Sequence, residues 1–517
     1  MRKNDRCLQR VRNNRVRAAI PSGVIGLLLC ASSLATPQHS EAPGKTIHYT
    51  LSPWVGINGV EALEVEVRFV GNRQGQSTFK LPSNAIGGHE RWKYLSHFEG
   101  RGVRIIENDK DKRVFLYSPG ATVTVRYRVR SAYVENPVDG NAFAGPVILP
   151  QWLATLGEFI FIVPERAETT PVSFQWKPGS THWQSLSNLD HPSAEESLTV
   201  ARLLESSIVA GPHLKVVERP IFGGALRMAA VGAWSVPLDE YADLVARIAS
   251  VQRAFWGDMT GPMTVTTVAL AGSGKAAGGV GRYRGFAQYV PAASTPEGQI
   301  RVIAHEHVHS WIPGRLGEMP REDDEATLYW FSEGFTEFYT ERTLLRSGIW
   351  TLEDFVSDLN DVLASYAGSP YNHESNAWTS ARFWSDNDIQ RIPYWRGNLF
   401  AYLLDHQIRQ ELRINTGLDQ MILLMRERWS HSPADGRPGV LDSLRLSYIA
   451  LGGSEEDLDA LIESHITKGE IIRLPADLFG GCATVDSGEP PLERAPQKVR
   501  LPSMDEQHRD VCAQTLL

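Results

Sequence analysis

From about residue 46 to 215 the chain alternates. In LEVEVRF, Leu63, Val65, Val67 and Phe69 take every second position between Glu64, Glu66 and Arg68. VTVRYRV repeats the pattern, with Val123, Val125, Tyr127 and Val129 between Thr124, Arg126 and Arg128. A period of two buries one side of each strand and leaves the other in water, so this stretch predicts an antiparallel β domain with one wet face. Near 238 the period lengthens. Leu238, Tyr241, Leu244, Val245, Ile248 and Phe255 fall at helical spacing, and MTVTTVALAG (263–272) then predicts a strand running into glycine-rich GSGKAAGG. Ser294 and Glu297 stand at capping-box spacing and predict a helix that Pro313-Gly314 stops. A second helix is expected from about Asp324 to Gly348. Most of 351–470 is again helical in period, with ERWSHSPADGRPG (427–439) as a loop, and the tail from 476 is Pro-rich and polar. The order implies an α+β multidomain chain with no internal repeat: a β domain over 46–215, a mixed unit over 220–350, a helical domain over 351–475 and a tail over 476–517.

Composition adds size and compartment. At 517 residues, 42% hydrophobic and 22% charged, the chain can build two to four ordinary globular cores. Seven basic residues, from Arg2 to Arg17, precede the apolar run AIPSGVIGLLLCASSLA. This is the pattern of a secretory signal over 1–35, cleaved after Ala35, and it points to a periplasmic or secreted protein. Pro21 and Gly23 interrupt the run, which is short for a membrane span; an uncleaved anchor is the alternative, and no stable span is expected once the signal is gone. Losing seven cations and one acid, Asp5, takes the formal charge from −8 to −14, which argues against a nucleic-acid partner. Cys7 and Cys30 belong to the signal, leaving Cys482 and Cys512. In an oxidising compartment these two are expected to pair and clamp the tail; the alternative is two free thiols.

Candidate chemistry concentrates in AHEHVHSW (304–311). Residues four apart share a helix face, so His305 and His309 can hold one metal ion while His307, roughly 200° around from His305, points away to pack or to meet solvent. Glu306 falls beside the pair, where a carboxylate can take a proton from water activated by the ion, the logic of His-Glu-x-x-His. A catalytic zinc needs a third protein ligand, and Glu333 of WFSEGFTEFY, on the next helix, is the natural source. Glu337, one turn on, is placed to accept the other N–H of His305, or else is a solvated helix glutamate. Gly278 and Gly279 can offer backbone groups to an extended substrate, as an edge strand does.

HEHVHSW, WFSEGFTEFY and YWRG (394–397) resemble the gluzincin metallopeptidases, and WFSEGFT is nearest the glycyl-aminopeptidase branch, whose members often carry a PDZ domain. The resemblance is tight over about 295–405, and no stretch here is long enough for a PDZ domain. It implies a thermolysin-like catalytic domain at 220–350, one Zn²⁺ per chain and a peptide or protein substrate. It also assigns Tyr394, three residues before Gly397, as the phenol that donates to the carbonyl oxygen as charge builds there. The family's amine-gripping glutamate has no counterpart: in GGVGRYRG, Gly281 stands at its position, and the cation of Arg282 beside it would repel an N-terminal ammonium. Glu318, Asp323, Asp324 or Glu325, between the two metal helices, are the possible replacements. The expected function is a secreted zinc aminopeptidase. An endopeptidase, a non-peptide hydrolase and a metal-binding protein without turnover are the alternatives, and oligomeric state is not legible.

Overall fold

The alternating residues form the strands they predict. In the computed structural model Leu63, Val65, Val67 and Phe69 lie inward on the strand Gly59–Val70, and Val123, Val125, Tyr127 and Val129 on Thr122–Arg130, all buried. The two strands pair antiparallel, and Arg126 meets Glu66 across the wet face. The structure describes residues 46–515 apart from 84–89, 139–143, 191–196, 258, 273–277, 293, 296, 321–323, 434–435 and 487–495. The expected signal segment, with Cys7 and Cys30, and also Asp323, lie outside the described residues.

Between 47 and 211 the strands make a five-stranded sheet and two four-stranded sheets over a common core. Nearly all neighbours are antiparallel; Ile47–Gly56 and Val172–Trp176 pair parallel. A second five-stranded sheet begins at Val216, in the order Val216–Ile221, Gly224–Gly232, Met263–Leu270, Gly285–Pro291, Gly278–Arg282. Its inner three strands are parallel and both outer ones antiparallel. Gly278–Arg282 is therefore an edge strand, with one row of backbone groups unclaimed by the sheet.

The helix Leu238–Trp256 carries the expected apolar face. The next helix starts differently from its sequence. Ser294 and Glu297 do not cap it: Thr295 Oγ1 accepts the N–H of Gly298 at 3.2 Å, a short turn covers Glu297–Gln299, and the α-helix runs Ile300–Val308. Pro296 follows Thr295 and needs no donor partner, which makes Thr295 the better cap. This histidine helix also stops well short of Pro313, because the chain turns after His309 and brings its Nδ1 within 3.0 Å of the Ile312 carbonyl. The following glutamate helix, Tyr329–Arg346, opens through a turn at Glu325–Leu328. Helices Leu352–Gly368, Asn387–Gln410, Leu418–His431 and Val440–Ala450 follow, so the loop expected at 427–439 loses Glu427–His431 to the end of a helix.

One hydrophobic core runs from Trp256 through both metal helices to Cys512, crossing the expected division at 351 without a break. Cys482 and Cys512 are bonded, with Cα atoms 5.4 Å apart. Within this core the glutamate helix and the tyrosine helix, Asn387–Gln410, approach closely through two glycines. A Cβ on Gly397 would lie 1.8 Å from the Trp330 carbonyl oxygen, and one on Gly334 would lie 2.3 Å from Gly397 Cα. Only residues without a side chain fit there. Among the described residues no helix is long and apolar enough to cross a membrane.

Candidate metal centre and active site

The histidine and glutamate helices bring His305, His309 and Glu333 together. Nε2 of His305 and of His309 are 3.1 Å apart, and Glu333 Oε2 lies 3.2 Å from the first and 3.4 Å from the second. Three ligands about 2.0–2.1 Å from a tetrahedral ion stand about 3.3–3.4 Å from one another, so the triangle has the size zinc requires. Its donor set, two imidazoles and a carboxylate, leaves a fourth position for water.

The electrostatics express the same design. Burial works against a charge on His305, but the carboxylates of Glu337 and Glu333 outweigh it and hold its pKa up at about 10; His309 is likewise raised by Glu333 against burial. Glu333, though buried, is driven well below the usual carboxylate range by the two histidines. A cation is what this pocket of negative charge stabilises. Glu337 Oε1 sits 3.0 Å from His305 Nδ1, where it fixes which nitrogen of that ring faces the centre.

Glu306 is buried against the edge strand, and burial raises its pKa while the histidines oppose the rise. A Cβ on Gly279 would lie 2.5 Å from Glu306 Cγ, and one on Gly281 3.2 Å from His309 Cβ. These two glycines thus face the centre. Alternation turns Gly278, Val280 and Arg282 to the other side, where Gly278 lies under the Tyr289 hydroxyl and Val280 packs on the β-domain core. This corrects the expectation for Arg282. Its side chain is 6% exposed and pairs at 2.8 Å with Glu158, on the opposite face of the strand from the two glycines, so it is not the cation that would meet a substrate ammonium. Of the loop acids, Glu318 and Asp324 are exposed, whereas Glu325 is half-buried and hydrogen-bonds Tyr329.

Tyr394 stacks its ring on His305 at 6.0 Å. Burial and the carboxylates of Glu333, Glu306 and Glu337 raise its pKa well above the ordinary phenol value, so it stays a donor. His307 is the packing residue: 1% exposed, it rests on Trp311, meets Gln252 Oε1, and is pushed down to about 3 by burial and the charge of Arg253.

Sequence reasoning missed Arg301. One turn before His305, it bridges Glu337 and Asp358 and reaches Glu341 Oε1 at 3.5 Å; Glu341 also accepts from Asn398 and Tyr402, at 2.6 Å each. Burial and neighbouring Asp358 push Glu341 up. A signal was present: Glu333, Glu337 and Glu341 form an i, i+4, i+8 row on a helix otherwise buried, and buried acids need a cation.

In fold, the chain is similar to an aminopeptidase N family protein from Idiomarina loihiensis, at 16% identity and TM-score 0.68 over 85% of this chain and 79% of that one. It is also similar to an M1 zinc metallopeptidase from Deinococcus radiodurans, at 15% identity and TM-score 0.50 over 83% and 95%. A mutant of that enzyme bound to a Tyr-Ser-Ala substrate matches at 15% identity and TM-score 0.51, over 83% and 94%. No curated protein sequence matches the chain. In fold and in this possible ligand triangle the chain is thus similar to zinc metallopeptidases of the aminopeptidase type. More particularly, residues 298–396 match the M61 glycyl aminopeptidase family, and that span holds His305, Glu306, His309, Glu333 and Tyr394.

Proposed function

We propose that the chain is a zinc aminopeptidase working outside the cytoplasm, with His305, His309 and Glu333 as ligands to one Zn²⁺. The observation that carries this reading is the ligand triangle with Glu306 and Tyr394 beside it. When bound, the ion supplies a Lewis acid that activates water near neutral pH and polarises the peptide carbonyl. Glu306 takes the proton of the attacking water and returns one to the leaving amine; its raised pKa suits both transfers. The Tyr394 hydroxyl donates to the carbonyl oxygen as negative charge builds on it. Glu337 keeps the His305 ring in place through Nδ1. The free edge of Gly278–Arg282 aligns an extended peptide, Gly279 and Gly281 leaving room for its backbone. The basic, apolar and small-residue order of 1–35 and the Cys482–Cys512 bond support export.

The second reading is an endopeptidase, favoured by Gly281 itself, which puts no carboxylate where the amine would be held. Glu325 is the substitute under the first reading. A free peptide and its N-acetylated twin separate the two. The aminopeptidase should shorten only the free peptide, one residue at a time, lose activity to a chelator and regain it with zinc. Internal cuts in both peptides, shifted toward the free N-terminus by Gly281→Glu, would overturn the exopeptidase reading.

A further inference from the structure

Three helices meet at the centre, and each carries a row at i, i+4, i+8: Arg301, His305 and His309; Glu333, Glu337 and Glu341; Tyr394, Asn398 and Tyr402. Contacts join the rows level by level. Tyr394 stacks on His305, Glu337 Oε1 meets His305 Nδ1 at 3.0 Å, and further along the seam Asn398 and Tyr402 each donate to Glu341 at 2.6 Å. Arg301 closes this last level. Its Nη2 donates to Glu337 Oε2 and lies 3.5 Å from Glu341 Oε1, while its Nη1 donates to Asp358 on Leu352–Gly368.

Buried carboxylates call for a cation, but a lysine would answer that need as well. What a lysine lacks is the planar fork, which fixes direction as well as charge. Direction matters at Glu337, because both of its oxygens are committed, Oε2 to Arg301 and Oε1 to His305 Nδ1. The guanidinium sets the plane of the carboxylate, the carboxylate sets the imidazole, and the imidazole aims Nε2 at the ligand triangle.

We propose that Arg301 is a positioning residue for the metal centre, acting through Glu337 to hold His305 in its ligand geometry and itself held by Asp358 and Glu341. The proposal rests on the zinc reading. Arg301→Lys keeps the charge and removes the fork. It should fold with a Tm near the parent's, yet bind zinc about 10- to 100-fold more weakly in competition with a chelator, the usual loss when the partner of a ligating histidine is disturbed. That loss should vanish in a Glu337→Gln background, since the arginine works through this carboxylate. Parental zinc affinity in Arg301→Lys, or losses that add in the double variant, would overturn the positioning role. Should Arg301→Lys fail to fold, Asp358→Ala, at the most exposed of the three acids, asks the same question. Freeing Nη1 should weaken zinc severalfold, and parental affinity there would overturn the role. A parent protein that binds no zinc would remove the zinc reading and this role with it. Zinc weakened by Arg301→Lys in a protein that cuts no peptide would leave the role standing and remove the peptidase reading alone.

Discussion

Adding a single methyl group at Gly279 should uncouple metal binding from catalysis. In Gly279→Ala the new Cβ would stand 2.5 Å from Glu306 Cγ, 2.6 Å from its Cδ and 2.9 Å from Oε1. Carbon atoms in comfortable contact sit about 3.5–4.0 Å apart, so either the carboxylate or the edge strand must retreat by about 1 Å. Glu306 lies on a buried helix while the strand is paired on one side only, so the strand shares the movement, and each outcome widens the gap between base and substrate. A displacement of that size costs on the order of 10²-fold in rate. In Gly281→Ala the Cβ would meet His309 Cβ at 3.2 Å, which a few tenths of an ångström relieves, so its effect should fall on KM, through the peptide backbone it faces, and leave kcat nearly intact. Steady-state kinetics on a free peptide, with metal content by atomic absorption, should show kcat down about 10²-fold in Gly279→Ala, zinc retained, and Gly281→Ala within a few-fold of the parent. A Gly279→Ala enzyme with the parental kcat would refute the placement of Glu306 as the base.

The ligand set predicts that His309→Ala loses most bound zinc while His307→Ala keeps it; equal metal content in the two variants, read by the same absorption assay, would remove the assignment. Glu306→Gln should keep zinc yet lose hydrolysis by several orders of magnitude, more than the roughly 10²–10³ expected for Tyr394→Phe, and an unchanged kcat in the latter would exclude the phenol as donor. In metal-free protein His305 holds its proton up to about pH 10, so the stabilisation from its charged contacts is full below 6.5 and fades as pH rises through about 10. Zinc must displace that proton, hence its apparent affinity should climb over the same range with protons released, which calorimetry in two buffers of different ionisation enthalpy would measure. Cys482→Ser should lower stability by about 3–4 kcal/mol for the 30-residue separation it opens, seen as a lower Tm; an unaltered Tm would leave the bond without a stabilising role.

Much of this molecule is written in periodicities that geometry enforces. Strands such as Leu63 to Phe69 must alternate, and two histidines four apart on a helix must share a face, so the β strands and the meeting of His305 with His309 were legible. What required the third dimension was orientation and closure. Beside Gly281 in sequence, Arg282 reads as a cleft cation, whereas the strand turns it toward Glu158. The clamp of Arg301 on Asp358 joins residues 57 positions apart: the row of glutamates calls for a cation, but nothing local says which one. The cap moved by one residue, from Ser294 to Thr295, which a proline in the next position favours.

The glycine contact between Gly334 and Gly397 changes what the separated words of the sequence mean. Gly334 follows Glu333, and Gly397 lies three residues after Tyr394. The spacing that reads as a signature is therefore the two halves of one touching point, written some sixty residues apart. The missing side chains act as a gauge that sets how deeply the phenol reaches toward the metal ligands, and it is read from backbone to backbone. A methyl group on either half would push the helix that carries Tyr394 away from the helix that carries Glu333 without altering either side chain.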